Sequence, residues 1–459
     1  MKVLALTTDG KLTYCTASPE NRGKGRCNHV GHQNAGESQE DFVKRVASDL
    51  LKQAATNQNE DILNLTYSEK LDMISNNENL EILINDENES VRIAIAKQGY
   101  GLDKLIDDKS ADVRAIVARQ GYGLDKLVND KDWYVRRIVA EKGYKLDKLV
   151  DDEDWRVRRT VGECGYGLNK LVNDENPNVR IIVAKQGYGL DKLINDKDYN
   201  VRTIVAKQGY GLEKLVDDES WFVRRVVAKQ GYGLDKLVND SDYLVCEAVA
   251  RQGYGLDKLV DSKYGRVRLA VAEQGYGLDK LVNDEDEYVR ISVANKGYGL
   301  NKLVNDEKWE VRRAVAKQGY GLDKLIKDKD PDVRIAVAKQ DYGLDKLLDD
   351  KNGRVRAAVA EQGYGLDKLI KDKDYNVRTT VAKQGYGLDK LIRDRSVNVR
   401  MTIAEQGFGL DKLVNDKSTS VRYIVAKQGY GLDKLADDKS PKVRAVVAEQ
   451  RRKLSKTGQ

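Results

Sequence analysis

A phrase of 22 residues recurs without insertion along most of this 459-residue chain. Its anchor is Val-Arg, at Val91, Val113, Val135, Val157, Val179, Val201, Val223, Val245, Val267, Val289, Val311, Val333, Val355, Val377, Val399, Val421 and Val443, with Cys246 the one replacement of the Arg. The typical unit reads VRxxVAKQGYGLDKLVNDxDxx. So short a unit cannot bury an apolar face alone, and stacked neighbours must supply the core. The chain exceeds what one core organises, and the repeat points to one extended array.

Each unit decodes as two short helices. In the first, Val201, Ile204 and Val205 fall at i, i+3 and i+4, one apolar helix face. Three residues before the anchor stands an N-cap residue: Ser110, Asp132, Asp154, Asn176, Asp198, Ser220, Asp242 and onward to Ser440. Tyr264 and Lys308 break that rule. Pro177, Pro331 and Pro441 fall at the first helical position, where the missing N–H had no helical partner. Gly99, Gly121, Gly143 and their successors stop the helix, with Asp341 the exception. The second helix, GLDKLVND, spans barely two turns and sets Leu102, Leu105 and Ile106 on one face.

The phrase D-x-D-x-x-VR-x-x-VA resembles the HEAT and armadillo-like helical repeats. The unit VRxxVA…LxxL…D is most similar to the leucine-rich repeat variant group, with Gly-Tyr-Gly where that group usually carries an Asn-Pro turn. The likeness covers about residues 79–451. It implies a right-handed all-α solenoid of about 17 two-helix repeats, Arg–Asp pairing between adjacent repeats, and a scaffold or binding role without a catalytic motif.

Recurrence marks structure. The lysines at Lys104, Lys126, Lys148 and their successors, and the tyrosines from Tyr100 to Tyr430 with Phe408 the one substitute, form ladders. One reading is a charged track and aromatic rail for single-stranded nucleic acid. The preferred reading is that the tyrosines fill grooves between units and Arg–Asp contacts join them. One unit supports the second part. Where Arg becomes Cys246, the Asp expected sixteen residues later becomes Ser262, as a buried pair would require.

Variation marks the candidate surface. The first helical position reads Trp133, Trp155, Tyr199, Trp221, Tyr243, Trp309 and Tyr375 among smaller residues, and it holds all 4 tryptophans. With Tyr134 and Phe222, these are the candidate partner-binding residues, because Trp and Tyr dominate binding hot spots. The competing reading folds each ring back onto its neighbour. The residue after the Arg varies too (Arg137, Arg159, Thr203, Arg225, Glu247, Leu269, Arg313, Met401 and Tyr423) and forms a second contact line.

Charge argues against a polyanion. The net charge is +6 from 80 basic and 74 acidic residues. Near the end of the first helix the position reads Lys97, Arg119, Glu141, Glu163, Lys185, Lys207, Lys229, Arg251 and Glu273, so glutamates interrupt a basic run, and a phosphate track needs continuity. No apolar run approaches a membrane span or signal peptide. With 4 cysteines and no disulfide framework, a reducing, cytoplasmic setting is expected.

Residues 1–60 do not repeat. Val3–Thr8, Asp9-Gly10 and Lys11–Ala17 read as a β-hairpin, followed by a loop with Arg22, Lys24 and Arg26. A helix is expected from Glu37 to about Ala55, with Ser38 as its cap, then a connector over 56–68 and a degenerate capping unit around Leu71–Asn85. Cys15, Cys27, His29 and His32 form a candidate zinc set, although the spacing lacks a Cys-x-x-Cys knuckle and a packed loop competes. A phosphate-binding RGKGR loop and a Cys27–His nucleophile pair are weaker alternatives.

The expected organisation is a small N-terminal module over 1–60, a connector and degenerate cap over 61–90, the array over 91–450 and a basic tail over 451–459. The expected function is a non-catalytic scaffold that holds a protein partner. Nucleic acid is the first alternative, and an N-terminal enzyme or metal-dependent activity the second. No cofactor beyond the candidate zinc and no small-molecule substrate is inferred.

Overall fold

The computed structural model describes residues 3–6, 12–14, 28–34 and 36–457. The chain forms two compact units, Met1–Tyr210 and Gly211–Gln459. The sequence reading as one array does not foresee this division, because the boundary falls inside a Gly-Tyr-Gly turn with no change of composition. Both units are built from the same helix pair.

The first helix of a repeat begins two residues before the anchor and is typically nine residues long, as in Trp133–Glu141. Asp132, extended at φ −94°, ψ 124°, caps it by accepting the Tyr134 N–H. Pro177 and Pro331 stand at helix starts as expected. Tyr264 and Lys308 provide no side-chain cap, and neither do Ser220, Ser396 and Ser418, which the cap pattern had included. The stop is a paired hydrogen bond: the Gly99 N–H donates to Ala96 O (3.0 Å) and the Tyr100 N–H to Ile95 O (3.4 Å).

The second helix is one turn, Leu102–Leu105, rather than nearly two. It ends early because the Asp three residues on is committed elsewhere: Asp108 Oδ1 accepts the Ser110 N–H at 2.8 Å and turns the chain into the next cap. This short helix lies against the first helix of its own repeat and that of the next. First helices also pack against one another in sequence order within each unit. The core is the anchor valine, the Val four residues on and the Ala after it (Val135, Val139 and Ala140 are 0% exposed), with Leu127 and Leu149 from second helices at 1%.

One glycine of each turn serves contact as well as conformation. Gly101 has φ +59°, and a Cβ there would lie 2.2 Å from Ile84 Cδ1. Lys145 occupies the equivalent position at φ +49°.

Between repeats runs a lattice of buried ion pairs. Arg136 Nε and Nη2 donate to Asp152 Oδ2 (2.6 Å) and Oδ1 (2.8 Å). Its Nη1 donates to the carbonyls of Asp130 (2.8 Å) and Lys131 (3.2 Å). The same i+16 pair recurs at Arg92, Arg114, Arg158 and Arg180 in the first unit. In the second it recurs at Arg224, Arg268, Arg290, Arg312, Arg334, Arg356, Arg378, Arg400 and Arg422. Each of these aspartates except Asp240 thus takes one Arg on its carboxylate and the next on its carbonyl. The bidentate geometry and full hydrogen bonding let the charges remain buried. Burial pushes the Asp130 carboxyl up, but the Arg114 guanidinium and the Asp132 N–H outweigh it and hold it below the ordinary range.

The expected break at Cys246 is also in place. Cys246 is 9% exposed, and its thiol donates to the Asp240 carbonyl at 3.3 Å, where an Arg would place Nη1. Ser262 Oγ accepts the Tyr264 N–H at 3.3 Å in place of a carboxylate.

A second tie joins first helices. Gln120 Nε2 donates to Lys97 O (2.8 Å), and Gln274 repeats the bond to Arg251 O (3.1 Å). Cys164 stands at this position in its repeat and donates its thiol to Ala140 O at 3.4 Å.

The degenerate unit proves to be a full repeat in register, starting at Thr66 rather than near Leu71. Thr66 and Glu69 form a capping box. Lys70 replaces the Arg and meets Asp86, sixteen residues on, at 2.7 Å, with side chains 9% and 3% exposed. Asn77 (φ 60°) and Asn79 (φ 54°) replace the two turn glycines. Before it lies α1, Gln39–Leu63, which is longer than expected and absorbs much of the connector. Its Asp41 N–H donates to Ser38 Oγ (3.1 Å), and Phe42 and Val46 form its buried face. Among the described residues three strands precede it: β1 (Val3–Leu6), β2 (Leu12–Tyr14) and β3 (Asn28–His32), in the order β2-β1-β3 with both pairings antiparallel. β3 stands where the sequence predicts a loop, because its Gly and His residues carry no strand alternation. At the other end, residues 451–457, read as a tail, continue the last helix, Pro441–Thr457, since no Gly-Tyr-Gly stop interrupts it.

Candidate protein-binding face

The positions of the repeat differ in what they touch. The anchor, Arg, Gln, turn glycines, leucines and Asp all make contacts within or between repeats. The positions that vary share one side of the first helices: the first two helical residues, the residue after the Arg, and the residue four beyond that. The second column holds Tyr134 and Phe222, and the fourth holds Arg119, Glu141 and Glu163, whose change of sign along the array argues against a phosphate track.

In the first unit the structure gathers Trp133, Tyr134 and Trp155. All three are half-buried. The Arg156 guanidinium lies 4.3 Å from the Trp133 ring and 5.4 Å from the Trp155 ring. Trp133 meets Tyr134 edge to face at 5.9 Å. Arg119 donates to the Tyr134 hydroxyl at 2.7 Å, and Arg137 lies 5.1 Å from that ring. Tyr199, in the same unit, is 41% exposed.

In the second unit Trp221 stacks on Phe222 at 3.7 Å. Tyr243 stacks on Tyr264 of the next repeat at 4.9 Å. Trp309 is covered by Arg313 at 4.9 Å, while Tyr375 is exposed. The rings therefore do fold onto neighbours, yet most keep one side open. Near Tyr243, Glu247 is buried and faces Arg251 (3.1 Å) and Arg266 (3.5 Å). Further along, Met401, Tyr423, Ile424, Glu405, Lys427 and Lys442 line a groove of about 750 Å³ on the same helix side.

The tyrosines of the ladder fill grooves only in part: Tyr100, Tyr188, Tyr254, Tyr320 and Tyr386 are each 40–42% exposed, although the second glycine of the turn, as at Gly101, closes against the preceding repeat. Tyr144 differs, donating its hydroxyl to Asp125. The lysine ladder is surface-exposed but engaged: Lys126 meets Asp107, Lys236 meets Asp217 and Lys280 meets Asp261, each nineteen residues back.

Of the candidate zinc ligands, Cys15 and Cys27 lie outside the described residues, as do Arg22, Lys24 and Arg26. The backbone of His29 pairs with Ala5 and that of His32 with Val3 on β1. Among the described residues no helix is long and apolar enough to cross a membrane.

Fold and surface together define a tandem helical-repeat protein. No family model matches the chain, and no curated protein matches it. Among solved structures it is similar to Kap121p bound to RanGTP, at 12% identity and TM-score 0.32, over 84% of this chain and 56% of that one. It is similar to Kap121p bound to Nup53p at 11% and 0.27, over 81% and 54%. For Kap95p with RanGDP the values are 12% and 0.24, over 84% and 61%. The chain thus spans a little over half the length of these proteins, and likeness at this level assigns no function.

Proposed function

We propose that the chain is a non-catalytic repeat scaffold of the HEAT and armadillo-like kind, holding a protein partner on the variable face of its first helices. The observation that carries the reading is the division within the 22-residue unit: the anchor, Arg, Gln, leucines and Asp recur and are consumed by core and lattice, while Trp133, Tyr134, Trp155, Trp221, Phe222 and Tyr243 vary and stay partly open on one side of the first helices. Half-exposed aromatics held by neighbours are pre-organised contacts, which lowers the ordering entropy of binding. A right-handed solenoid of about 17 repeats in a cytoplasmic setting belongs to the same proposal. A tagged pull-down from native lysate, with and without nuclease, tests it. Partners that survive nuclease and are lost when Trp133, Trp155 and Trp221 become Ala are expected; partners released by nuclease would overturn it.

The exposed tyrosines favour one second reading, a nucleic-acid surface along the Tyr and Lys ladders. Against it, Lys126, Lys170, Lys236, Lys280 and Lys368 already face carboxylates. Binding that falls steeply with salt would mark it. A zinc centre on Cys15, Cys27, His29 and His32 is a separate proposal about the N-terminal segment, tested by comparing the bound zinc of the wild type with that of Cys27→Ser.

A further inference from the structure

We infer that the cluster of Arg119, Trp133, Tyr134, Arg137, Trp155 and Arg156 in the first unit is a docking site for an acidic segment of a partner protein, with carboxylates flanking an apolar or aromatic residue. This rests on the scaffold reading and names the chemistry of the partner.

Three guanidiniums from consecutive repeats converge on three aromatic rings. Arg156 lies against both tryptophans, at 4.3 and 5.4 Å. Arg119 and Arg137 both lie over Tyr134, at 5.7 and 5.1 Å. A guanidinium beside a ring can still offer N–H groups to a carboxylate, which Arg binds in bidentate fashion. The cluster has fewer carboxylates than it can use. Arg119 is exposed, and its one hydrogen bond among the described residues goes to the Tyr134 hydroxyl. Arg137 reaches Glu141 only at 3.4 Å, and its Nε has no hydrogen-bond partner. Arg156 has one nearby carboxylate, Asp154 at 2.9 Å, and its side chain is 43% exposed.

Charge complementarity selects this place on the face. Trp309 is followed by Glu310 and Tyr375 by Asn376; Trp221 and Phe222 have Arg225 beside them, but among the described residues only at Trp133, Tyr134 and Trp155 do guanidiniums from three repeats lie against the rings. The same charge repels a basic partner. A phosphate backbone finds no continuous track, because Glu141 and Glu163 close the far ends of these helices. The tryptophan faces supply the apolar contact that makes such a site specific.

The test is fluorescence anisotropy with the full chain and four labelled probes: a peptide alternating Glu with Phe, its Gln counterpart, a Lys counterpart and a single-stranded oligonucleotide. The Glu peptide is expected to bind at least about tenfold more tightly than the others and to weaken with salt. Arg119→Ala and Arg156→Ala are each expected to weaken it about threefold to tenfold, while Arg354→Ala in the second unit leaves it unchanged. All three arginines are surface residues outside the buried lattice, and unchanged melting curves confirm folding. No binding of the Glu peptide, equal binding by the variants, or preference for the oligonucleotide would overturn the inference. A native partner that survives nuclease and needs the tryptophans but neither arginine would sink this inference and leave the scaffold reading standing. Absence of any nuclease-resistant partner would sink the scaffold reading itself.

Discussion

At the scale of single residues, the Arg–Asp pair is the unit of cohesion. Arg136 and Asp152 have side chains 8% and 5% exposed, so removing one partner strands a buried charge. Asp152→Ala is expected to destabilise by about 3–5 kcal/mol, whereas replacing both residues with apolar ones of similar volume is expected to be near neutral. Denaturant unfolding of the two variants checks this. The broken pair gives the converse experiment. Cys246→Arg alone is expected to lower the melting temperature, because Ser262 offers the new guanidinium no carboxylate. Adding Ser262→Asp should restore the lattice and raise it above the wild type. A double-mutant cycle with no coupling would contradict the pairing. Lys145, held at φ +49° where its counterparts are glycine, is strained, and Lys145→Gly is expected to gain about 1 kcal/mol, read from the same unfolding curves. The pairing was legible because Cys246 and Ser262 change together. The exposure of the tyrosines was not, since strict recurrence says that a residue is needed without saying which side of it is wet.

At the scale of elements, capping and stopping were readable and lengths were less so. Asp132 and Pro177 mark helix starts through local chemistry, and Gly99 marks a stop through its positive φ. The second helix was overestimated because its apolar spacing continues through Ile106, while Asp108 is drawn to Arg92 by a contact that local pattern does not reveal. The first repeat was placed too late for a related reason. Lys70, Asn77 and Asn79 perform the work of Arg and two glycines by equivalent chemistry, which matching by letter overlooks.

At the scale of the molecule, many identical joints should respond to one variable together. Hydrogen bonds from Arg422 and the Ser440 N–H hold the Asp438 carboxyl below its ordinary range against the opposing effect of burial, and Asp328, Asp350, Asp372, Asp394 and Asp416 are lowered in the same direction. A depressed carboxylate contributes stability above its unfolded pKa and loses it as pH falls through the folded value. The melting temperature is therefore expected to be level from neutral pH to about 5 and to fall sharply below about 4. A decline beginning near pH 6 would point to other groups. The variable face was half legible: its aromatic column stood out by composition, whereas Arg119, Arg137 and Arg156 acquired meaning only when the helices brought them around those rings.

Hydroxyl-radical footprinting of the chain with its retained partner separates the faces most directly, since tryptophan and tyrosine both report side-chain exposure. The account predicts that Trp133, Trp155 and Trp221 are protected on binding while Tyr188, Tyr254 and Tyr298 oxidise as in the free protein. Protection of the tyrosine ladder with the tryptophans unchanged would contradict it.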